Sequence, residues 1–237
     1  MNTLAKLSTL SILTASIAVS SCNTEDPGPL QETEKKYAIV DFDRIEMGSG
    51  FHIDVKQSGS FRVKAEGDRR NIDDLEVFKS GSTLIVKYKD NGNRTHETHI
   101  AIEMPVLNGA NFSGGSESEI KDFESDGTLE LVVSGGSVSQ VDAGYRVVRG
   151  VVSGASSLVM RGLGDEVNVE VSGASSLVAF DYPVRQAKLT VSGASHAKVT
   201  VTDDLDVTAS GTSALLYRGS PTVTSSVTGA SSVQKDQ

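Results

Sequence analysis

The sequence has little of what builds a thick hydrophobic core. Among its 237 residues it has one cysteine, five prolines, no tryptophan and 5% aromatic residues. A single cysteine excludes an intramolecular disulfide and a thiolate metal cluster, and the scarcity of large side chains predicts a thin core. Basic residues are also in the minority, since the formal net charge is -9. Because nucleic-acid binding depends on basic patches, we expect no nucleic-acid partner.

The first 21 residues have the pattern of a secretory signal peptide. Lys6 lies near the start, an apolar segment follows, and the small residues Ser20 and Ser21 come just before Cys22. This segment is too short and too polar to span a membrane. We therefore interpret residues 1–21 as a signal that is removed on export.

Cys22 is the predicted lipidation site. Residues 19–22, Val-Ser-Ser-Cys, resemble the lipobox of bacterial lipoproteins, which implies a lipid on the Cys22 sulfur and attachment to a membrane. Asn23 stands where an aspartate would, by the same resemblance, favour the inner membrane, so we expect the outer membrane. Whether the domain faces the periplasm or the cell surface stays open. The alternative to a lipobox is an ordinary secretory signal in which Cys22 stands by chance.

The composition changes near Tyr37. Residues 23–36 contain two prolines, a glycine and six charged residues, which predicts a flexible tether over residues 22–36. After it, short apolar runs alternate with polar residues and end at Gly, Asn, Asp or Ser, which is the signal of β-strands. No segment after residue 21 shows a convincing helical pattern, and the nearest candidate, residues 69–78, predicts a loop or at most one helical turn. The clearest runs are Phe51, Ile53 and Val55; Phe61, Val63 and Ala65; Leu84, Val86 and Tyr88; and Ile100, Ile102 and Met104.

A short motif recurs through the second half of the chain at intervals of 18 to 21 residues. This period is too short for a pair of packed helices or a propeller blade, and it fits one coil of a β-solenoid. The fold class predicted is therefore all-β, a parallel β-helix with about 19 residues per coil, over residues 37–233 as one domain, with residues 234–237 as a polar tail. The seven copies of the motif are Ser113-Gly-Gly-Ser116, Ser134-Gly-Gly-Ser137, Ser153-Gly-Ala-Ser156, Ser172-Gly-Ala-Ser175, Ser192-Gly-Ala-Ser195, Ser210-Gly-Thr-Ser213 and Thr228-Gly-Ala-Ser231.

The direction in which the motif points stays open at this stage. Apolar residues of one parity precede it, as in Val167, Val169 and Val171, and these should point inward. Continued alternation would place residues 173, 175 and 177 inside, whereas a bend at the glycine would reset the parity. In either case we expect the stacked serines to hydrogen-bond between coils and to be structural, not catalytic.

These residues resemble the head GIN domain of auto-transporter adhesins, a family common among Bacteroides-like lipoproteins. The resemblance covers residues 37–233 and implies a right-handed single-stranded β-helix that includes the N-terminal strands. It implies an adhesin and brings no catalytic residues with it. The likeness is carried by residues 42–45, 50–55, 75–77 and 84–86 and by the repeated Val-Ser-Gly-Ala-Ser-Ser-Leu of residues 152–158 and 171–177.

Two groups of side chains could bind metal ions, and the pattern favours neither. In His96-Glu97-Thr98-His99 the two histidines would project to opposite faces of a strand. The spacing of calcium-binding repeats is absent from two groups of aspartates, the pair at residues 41 and 43 and the triplet at residues 203, 204 and 206. We therefore predict no metal site, and we place His196 on the solvent side of its repeat.

The main enzymatic alternative is a β-helical enzyme that acts on polysaccharides. Such an enzyme needs clustered carboxylates and aromatic platforms for sugar rings. Tyr145, Tyr182 and Tyr217 are spaced by about two coils and would form a sparse row, but packing over the coil turns is the favoured interpretation. The repeats otherwise present mostly Ser, Ala, Val and Thr.

The function predicted is that of a non-catalytic cell-envelope lipoprotein that serves as a surface scaffold or adhesin, without a cofactor. Its expected partners are a membrane, through the lipid on Cys22, and a glycan or a host or cell-surface protein. Contact between the open ends of two solenoids would also give a homo-oligomer. The remaining alternative is a purely structural envelope protein.

Overall fold

The computed structural model describes residues 28–90, 92 and 94–236. Strands make up 66% of the residues described and helix 2%, and they form a β-solenoid of about seven turns with about 19 residues per turn. The predicted all-β solenoid is thus confirmed. Among the described residues, no helix has the length and apolar character that a membrane span needs.

The described part of the chain forms seventeen strands and one short helix. In order they are Glu32–Tyr37 (β1), Arg44–Met47 (β2), His52–Gln57 (β3), Arg62–Asp68 (β4), Arg69–Asp73 (α1), Leu75–Ser80 (β5), Thr83–Tyr88 (β6), Thr98–Met104 (β7), Gly109–Phe112 (β8), Glu117–Val133 (β9), Val138–Val152 (β10), Ser157–Leu163 (β11), Glu166–Val171 (β12), Ser176–Val191 (β13), His196–Ala209 (β14), Ala214–Gly219 (β15), Thr222–Val227 (β16) and Ser232–Lys235 (β17).

The strands are arranged in two faces of the solenoid. The first face has the order β1-β4-β7-β3-β9-β10-β11-β13-β14-β15-β17. The second face has the order β5-β6-β2-β8-β9-β10-β12-β13-β14-β16. Strands β9, β10, β13 and β14 are 14 to 17 residues long and belong to both faces, because each of them bends through a corner. The two faces are therefore one continuous hydrogen-bonded sheet.

Alternating apolar residues fill the space between the two faces. Val167, Val169 and Val171 are at most 1% exposed, and the other inward positions predicted from the repeats are buried in the same way. The alternating runs of the first half, such as Ile100 and Ile102, belong to the same core. Because each inward residue stacks on its counterpart in the next coil, short aliphatic side chains suffice to fill the narrow interior.

The repeated motif forms the turn between the two faces. Val171 points inward, Gly173 and Ala174 are exposed, and Ser175 and Leu177 point inward again. The glycine thus marks a turn, and the parity continues beyond it because the turn spans an even number of positions. Of the two alternatives that the sequence left open, continued alternation holds for Ser175 and Leu177, whereas Gly173 lies on the exposed turn.

Glycine is required at this turn for two reasons. Gly173 has a φ of +78°, which L side chains rarely adopt. A Cβ atom on Gly173 would also lie 2.5 Å from the carbonyl oxygen of Gly154 in the preceding coil. That oxygen accepts a hydrogen bond of 2.9 Å from the Ala174 N–H, so the turns of neighbouring coils are linked directly.

The N-terminal part differs from a purely parallel stack. Strands β2, β3 and β8 join it in parallel, whereas β1, β4 and β5 are paired antiparallel to their neighbours. The segment 69–78 holds one short helix, as expected, but its last residues lie in β5. Antiparallel strands thus close the N-terminal end of the stack.

The predicted tether is wrong for residues 32–36, which lie in β1 and pair with β4. A buried carboxylate fixes this strand, because Asp68 Oδ2 accepts a hydrogen bond of 2.9 Å from the Gln31 N–H. The predicted polar tail is wrong as well, since Gln234 and Lys235 lie in β17 and pair with β15. The predicted signal peptide and Cys22 lie outside the described residues.

Candidate functional site

The last serine in six of the seven motifs points into the core and links neighbouring coils. The backbone N–H of Ser175 donates to Ser195 Oγ at 3.3 Å, and the same pattern connects each earlier coil to the next. The hydroxyls donate in turn, as Ser137 Oγ does to the carbonyl of Ser134 at 2.8 Å. These serines are therefore engaged inside the solenoid, as the repeat predicts. The buried members are Ser116, Ser137, Ser156, Ser175, Ser195 and Ser213.

Two of the three tyrosines in the candidate row are core residues. Tyr145 and Tyr182 are 2% and 1% exposed, so they offer no platform to a sugar ring, and packing over the coil turns was the better interpretation. Tyr145 Oη donates to the Leu107 carbonyl at 2.8 Å. Burial raises the pKa of Tyr182 to about 12, and the nearby Glu124 carboxylate adds to the effect while a hydrogen bond to the Tyr145 backbone opposes it. Tyr217 is only partly buried, at the edge of the core.

His96 and His99 do not form a pair. His96 precedes β7, and its Nε2 lies 3.2 Å from the carbonyl oxygen of Gly28. His99 lies on β7 and stacks on His52, with ring centroids 4.9 Å apart. Sequence reasoning missed this second pairing, because it depends on the register between β3 and β7.

The aspartate groups are engaged in local interactions. Asp203 forms an ion pair of 3.0 Å with Arg185, one coil earlier, and accepts a hydrogen bond from Thr202. Hydrogen bonds from Thr202 and then from Arg185 lower the pKa of Asp203. Asp43 accepts a hydrogen bond of 2.9 Å from Asn108, and Asp41 occupies a turn with a φ of 59°. These contacts fix turns and coil edges.

What is left for binding is the outside of the solenoid. On the first face one row of outward residues runs across five consecutive coils, and adjacent members are separated by one strand spacing of about 4.8 Å. We call this set the outer row. It carries three aliphatic side chains, each partly exposed, and its single charge is the lysine. The outer row consists of Gln140, Val159, Val178, Lys198 and Leu216.

An aromatic ring lies beside the outer row. Phe180 is partly exposed, and the Arg218 guanidinium carbon lies 3.9 Å from its ring centroid, which is a cation–π contact. Lys198 lies on the same ring at 6.0 Å. The opposite end of the first face is different, because its outward positions on β4, β7 and β9 carry ion pairs such as Arg62–Glu103 and Lys121–Glu119. A flat sheet with an apolar row, an aromatic ring and flanking cations is suited to binding an extended surface.

Crystal structures of other proteins share this architecture. A putative adhesin from Bacteroides fragilis NCTC 9343 has a TM-score of 0.79 at 19% identity, over 87% of this chain and 97% of that chain. A putative adhesin from Parabacteroides merdae ATCC 43184 has a TM-score of 0.71 at 18% identity, again over 87% and 97%. A putative lipid binding protein from Parabacteroides distasonis ATCC 8503 has a TM-score of 0.66 at 19% identity, over 87% and 97%. Among curated proteins, none is significantly similar to the chain.

The fold and the outward surfaces define a β-solenoid that presents flat, repetitive faces. The profile of one family, described as "Putative auto-transporter adhesin, head GIN domain", matches residues 41–221. The chain belongs to this family, which confirms the resemblance found in the sequence. The family is one of adhesin-like surface proteins, and the three similar structures are described as putative adhesins or as a putative lipid binding protein.

Proposed function

We propose that this protein is a non-catalytic scaffold of the bacterial outer membrane, anchored by a lipid on Cys22, which binds a partner through the outer row of its first face. The observation that carries the proposal is the partly exposed apolar row of Val159, Val178 and Leu216 on a flat parallel sheet. Membership of an adhesin-like family supports it. The partner is a glycan or a protein of another cell surface.

The chemistry of the candidate side chains also supports binding over catalysis. The serine hydroxyls and the Tyr145 and Tyr182 hydroxyls donate and accept inside the core, where no substrate reaches them. An aromatic ring flanked by cations binds through contact area and polarisation, and it provides neither an acid nor a base. The proposal therefore predicts affinity without turnover.

Exposure at the cell surface is tested by protease shaving of intact cells, with a periplasmic protein as control. We expect the protein to be digested while the control survives. Survival of both until the outer membrane is opened, followed by digestion, would contradict surface exposure and favour a structural role inside the envelope. The same cells grown with labelled palmitate test the lipid on Cys22, and a Cys22→Ala variant should lose the label.

Binding through the first face is tested by screening the protein against glycan arrays and intact host or bacterial cells. A Val178→Lys variant introduces a charge into the centre of the outer row and should lower affinity for the partner at least about tenfold. Its matched control is Thr190→Lys, since Thr190 is an exposed outward residue of the same strand on the second face. Equal loss in both variants, or loss in neither, would place binding elsewhere.

The predicted end-to-end homo-oligomer is tested by light scattering. The strand β16 at the C-terminal end of the second face is exposed along its whole length and carries no charged residue, which is the kind of edge that pairs with another chain. A monomeric mass at high protein concentration would reject this association.

A further inference from the structure

The two ends of the solenoid differ in how the core is covered. At the N-terminal end, β1 and β5 are the outer strands, and both carry charged residues. Ile72 of α1 and Leu75 of β5 are buried at this end. Charges along an outer strand are a usual protection against pairing with another chain. At the C-terminal end, β16 and β17 are the outer strands, and among the described residues no strand pairs with their free edges.

The inward side chains of β16 are exposed because no further described coil covers them. Val223 stacks on Leu205 of the preceding coil, and Val227 stacks on Ala209. The two valines are 37% and 44% exposed, whereas their counterparts are both 1% exposed. Ser225 occupies the inward position between the two valines. The strand therefore presents a short inward row of two valines with a serine between them, and this row is open at the end of the core.

The backbone groups of the same three residues face the open edge. The Thr228 N–H donates to the Ala209 carbonyl at 2.9 Å, so it points towards β14. Because the N–H and C=O groups of a strand alternate in direction from one residue to the next, those of Val223, Ser225 and Val227 point away from β14. The edge of β16 therefore offers donors and acceptors that only another strand can satisfy in regular order.

A second copy of β16 fits this edge in one antiparallel register. With Ser225 opposite Ser225 of the second copy, Val223 stands opposite Val227 and Val227 opposite Val223, so inward side chains meet inward side chains. Open backbone groups then face open backbone groups in all these pairs. A shift by one residue would place the inward valines against outward threonine or serine. A shift by two residues would leave a valine opposite a serine.

Charge also favours β16 as the point of contact between two copies. The formal net charge is -9, so two chains repel each other over much of their surface. β16 carries no charged residue, unlike the outer strands at the N-terminal end. Two chains therefore approach with the least repulsion where their β16 strands meet.

We propose that two copies of this chain associate through their C-terminal ends, by antiparallel pairing of β16 around a two-fold axis at Ser225. The inference rests on the end-to-end association included in the proposed function, and it specifies the ends, the register and the number of copies. A two-fold contact uses the same edge of both chains. Because the N-terminal ends have charged outer strands, the assembly stops at a dimer and does not grow into a filament.

The test is the mass of the full chain in solution, measured by light scattering with Cys22→Ala so that no lipid is attached. We expect the mass to rise from one chain to two, and no further, as the protein concentration increases. Ser225→Lys and Ser225→Glu each place like charges opposite each other and should weaken the dimer more than about tenfold. An equal mixture of the two variants pairs opposite charges and should restore it. The matched control is Thr190→Lys, an outward position of the same face, which should leave the mass unchanged.

Thermal unfolding shows whether each variant keeps the fold, and amide hydrogen exchange gives a second measurement on the chain with an unaltered β16. The N–H groups of residues 223, 225 and 227 should exchange more slowly as the protein concentration rises. A monomeric mass at every concentration, growth beyond two chains, or no association in the mixture of charge variants would overturn the proposal.

Two outcomes separate this proposal from the proposed function. A dimer that neither Ser225→Lys nor Ser225→Glu weakens would overturn the contact at β16 and leave some other association between chains in place. Binding of a partner through the outer row is measured with Val178→Lys, so its loss or survival does not depend on the mass of the protein.

Discussion

The hydroxyl of Tyr182 satisfies both main-chain groups of Tyr145, a residue 37 positions earlier and two coils away. It donates to the Tyr145 carbonyl at 3.0 Å and accepts from the Tyr145 N–H at 3.2 Å. The Tyr182 side chain passes Gly164 in the coil between them. Glycine leaves room there, since a Cβ on Gly164 would lie 3.0 Å from the Tyr182 hydroxyl. A single side chain thus passes one coil and links the coils on either side of it.

Removal of this hydroxyl should destabilise the fold. Tyr182→Phe leaves the Tyr145 N–H and carbonyl without this partner in a buried place, so we expect the free energy of unfolding to fall by about 1–3 kcal/mol. Urea denaturation followed by circular dichroism measures the change. Tyr217→Phe is the matched control, because Tyr217 is only partly buried, and its effect should stay within about 0.5 kcal/mol. Equal effects would show that the bridge contributes nothing specific.

The hydrogen bonds between coils predict that the two serines of one motif differ in their contribution to stability. Ser175→Ala removes the acceptor that Ser156 N–H uses at 3.3 Å and should lower the free energy of unfolding by about 1–3 kcal/mol. Ser172→Ala changes the first serine of the same motif, which is partly exposed, and should have an effect within about 0.5 kcal/mol. Chemical denaturation of both variants measures the two free energies of unfolding. If Ser175→Ala were as stable as the unaltered protein, water would have replaced the lost acceptor.

Alanine variants of two glycines allow the energetic cost of backbone strain to be measured apart from that of a steric clash. Gly136 has a φ of +82° with open space around its Cβ position, whereas Gly173 has a φ of +78° with Gly154 O only 2.5 Å from that position. Gly136→Ala should therefore cost about 1–2 kcal/mol from strain alone. Gly173→Ala should cost clearly more, because neighbouring turns must also move apart. The difference in melting temperature between the two variants measures the contact, and no difference would argue against it.

Asp68 should make the N-terminal end of the stack sensitive to acid. Its carboxylate is buried, and hydrogen bonds from Arg70 hold its pKa well below the usual range, against the opposing effect of burial, with further help from the Gln31 N–H. A lowered pKa stabilises the fold above the ordinary carboxyl range, and this contribution is lost as the pH falls through and below about 4. Asp68→Asn should lose about 2 kcal/mol at pH 7 and show a flatter decline between pH 7 and pH 3.

Urea denaturation at several pH values measures this difference. Asp206→Asn, at an exposed outward position of β14, should keep both the stability and the pH dependence of the unaltered protein. If Asp68→Asn declined as steeply with acid as Asp206→Asn, another carboxylate would be responsible.

The periodic part of the fold could be predicted because each coil repeats the same alternation of apolar and polar residues and the same motif. Alternation places Val169 and Val171 inside, so residue pattern and spacing are sufficient for the strands, whereas the direction of the motif itself stayed open until the structure showed the turn at its glycine. The N-terminal pairing could not be predicted in this way. Residues 32–36 are charged and resemble a linker, and they form a strand only because β4 and the buried Asp68 lie far away in sequence and close in space.

The stack of His52 on His99 and the hydrogen bonds between Tyr182 and Tyr145 also depend on the register between strands. His99 was compared with His96, its neighbour in the sequence, whereas strand pairing brings it to His52. Tyr182 meets Tyr145 because the intervening coil has a glycine at the right place. These contacts join residues 37 to 47 positions apart, and no local pattern indicates which of the possible partners is chosen.

The bent strands that belong to both faces have a mechanical consequence. Because β9, β10, β13 and β14 run around a corner without interruption, one face cannot be peeled from the other without breaking the hydrogen bonds of both. Each coil is bonded to the coils next to it, so a pull along the axis loads a whole ring of backbone bonds at once, and a missing coil would shorten the molecule by about 4.8 Å. The fold therefore behaves as a stiff rod whose length is counted in coils.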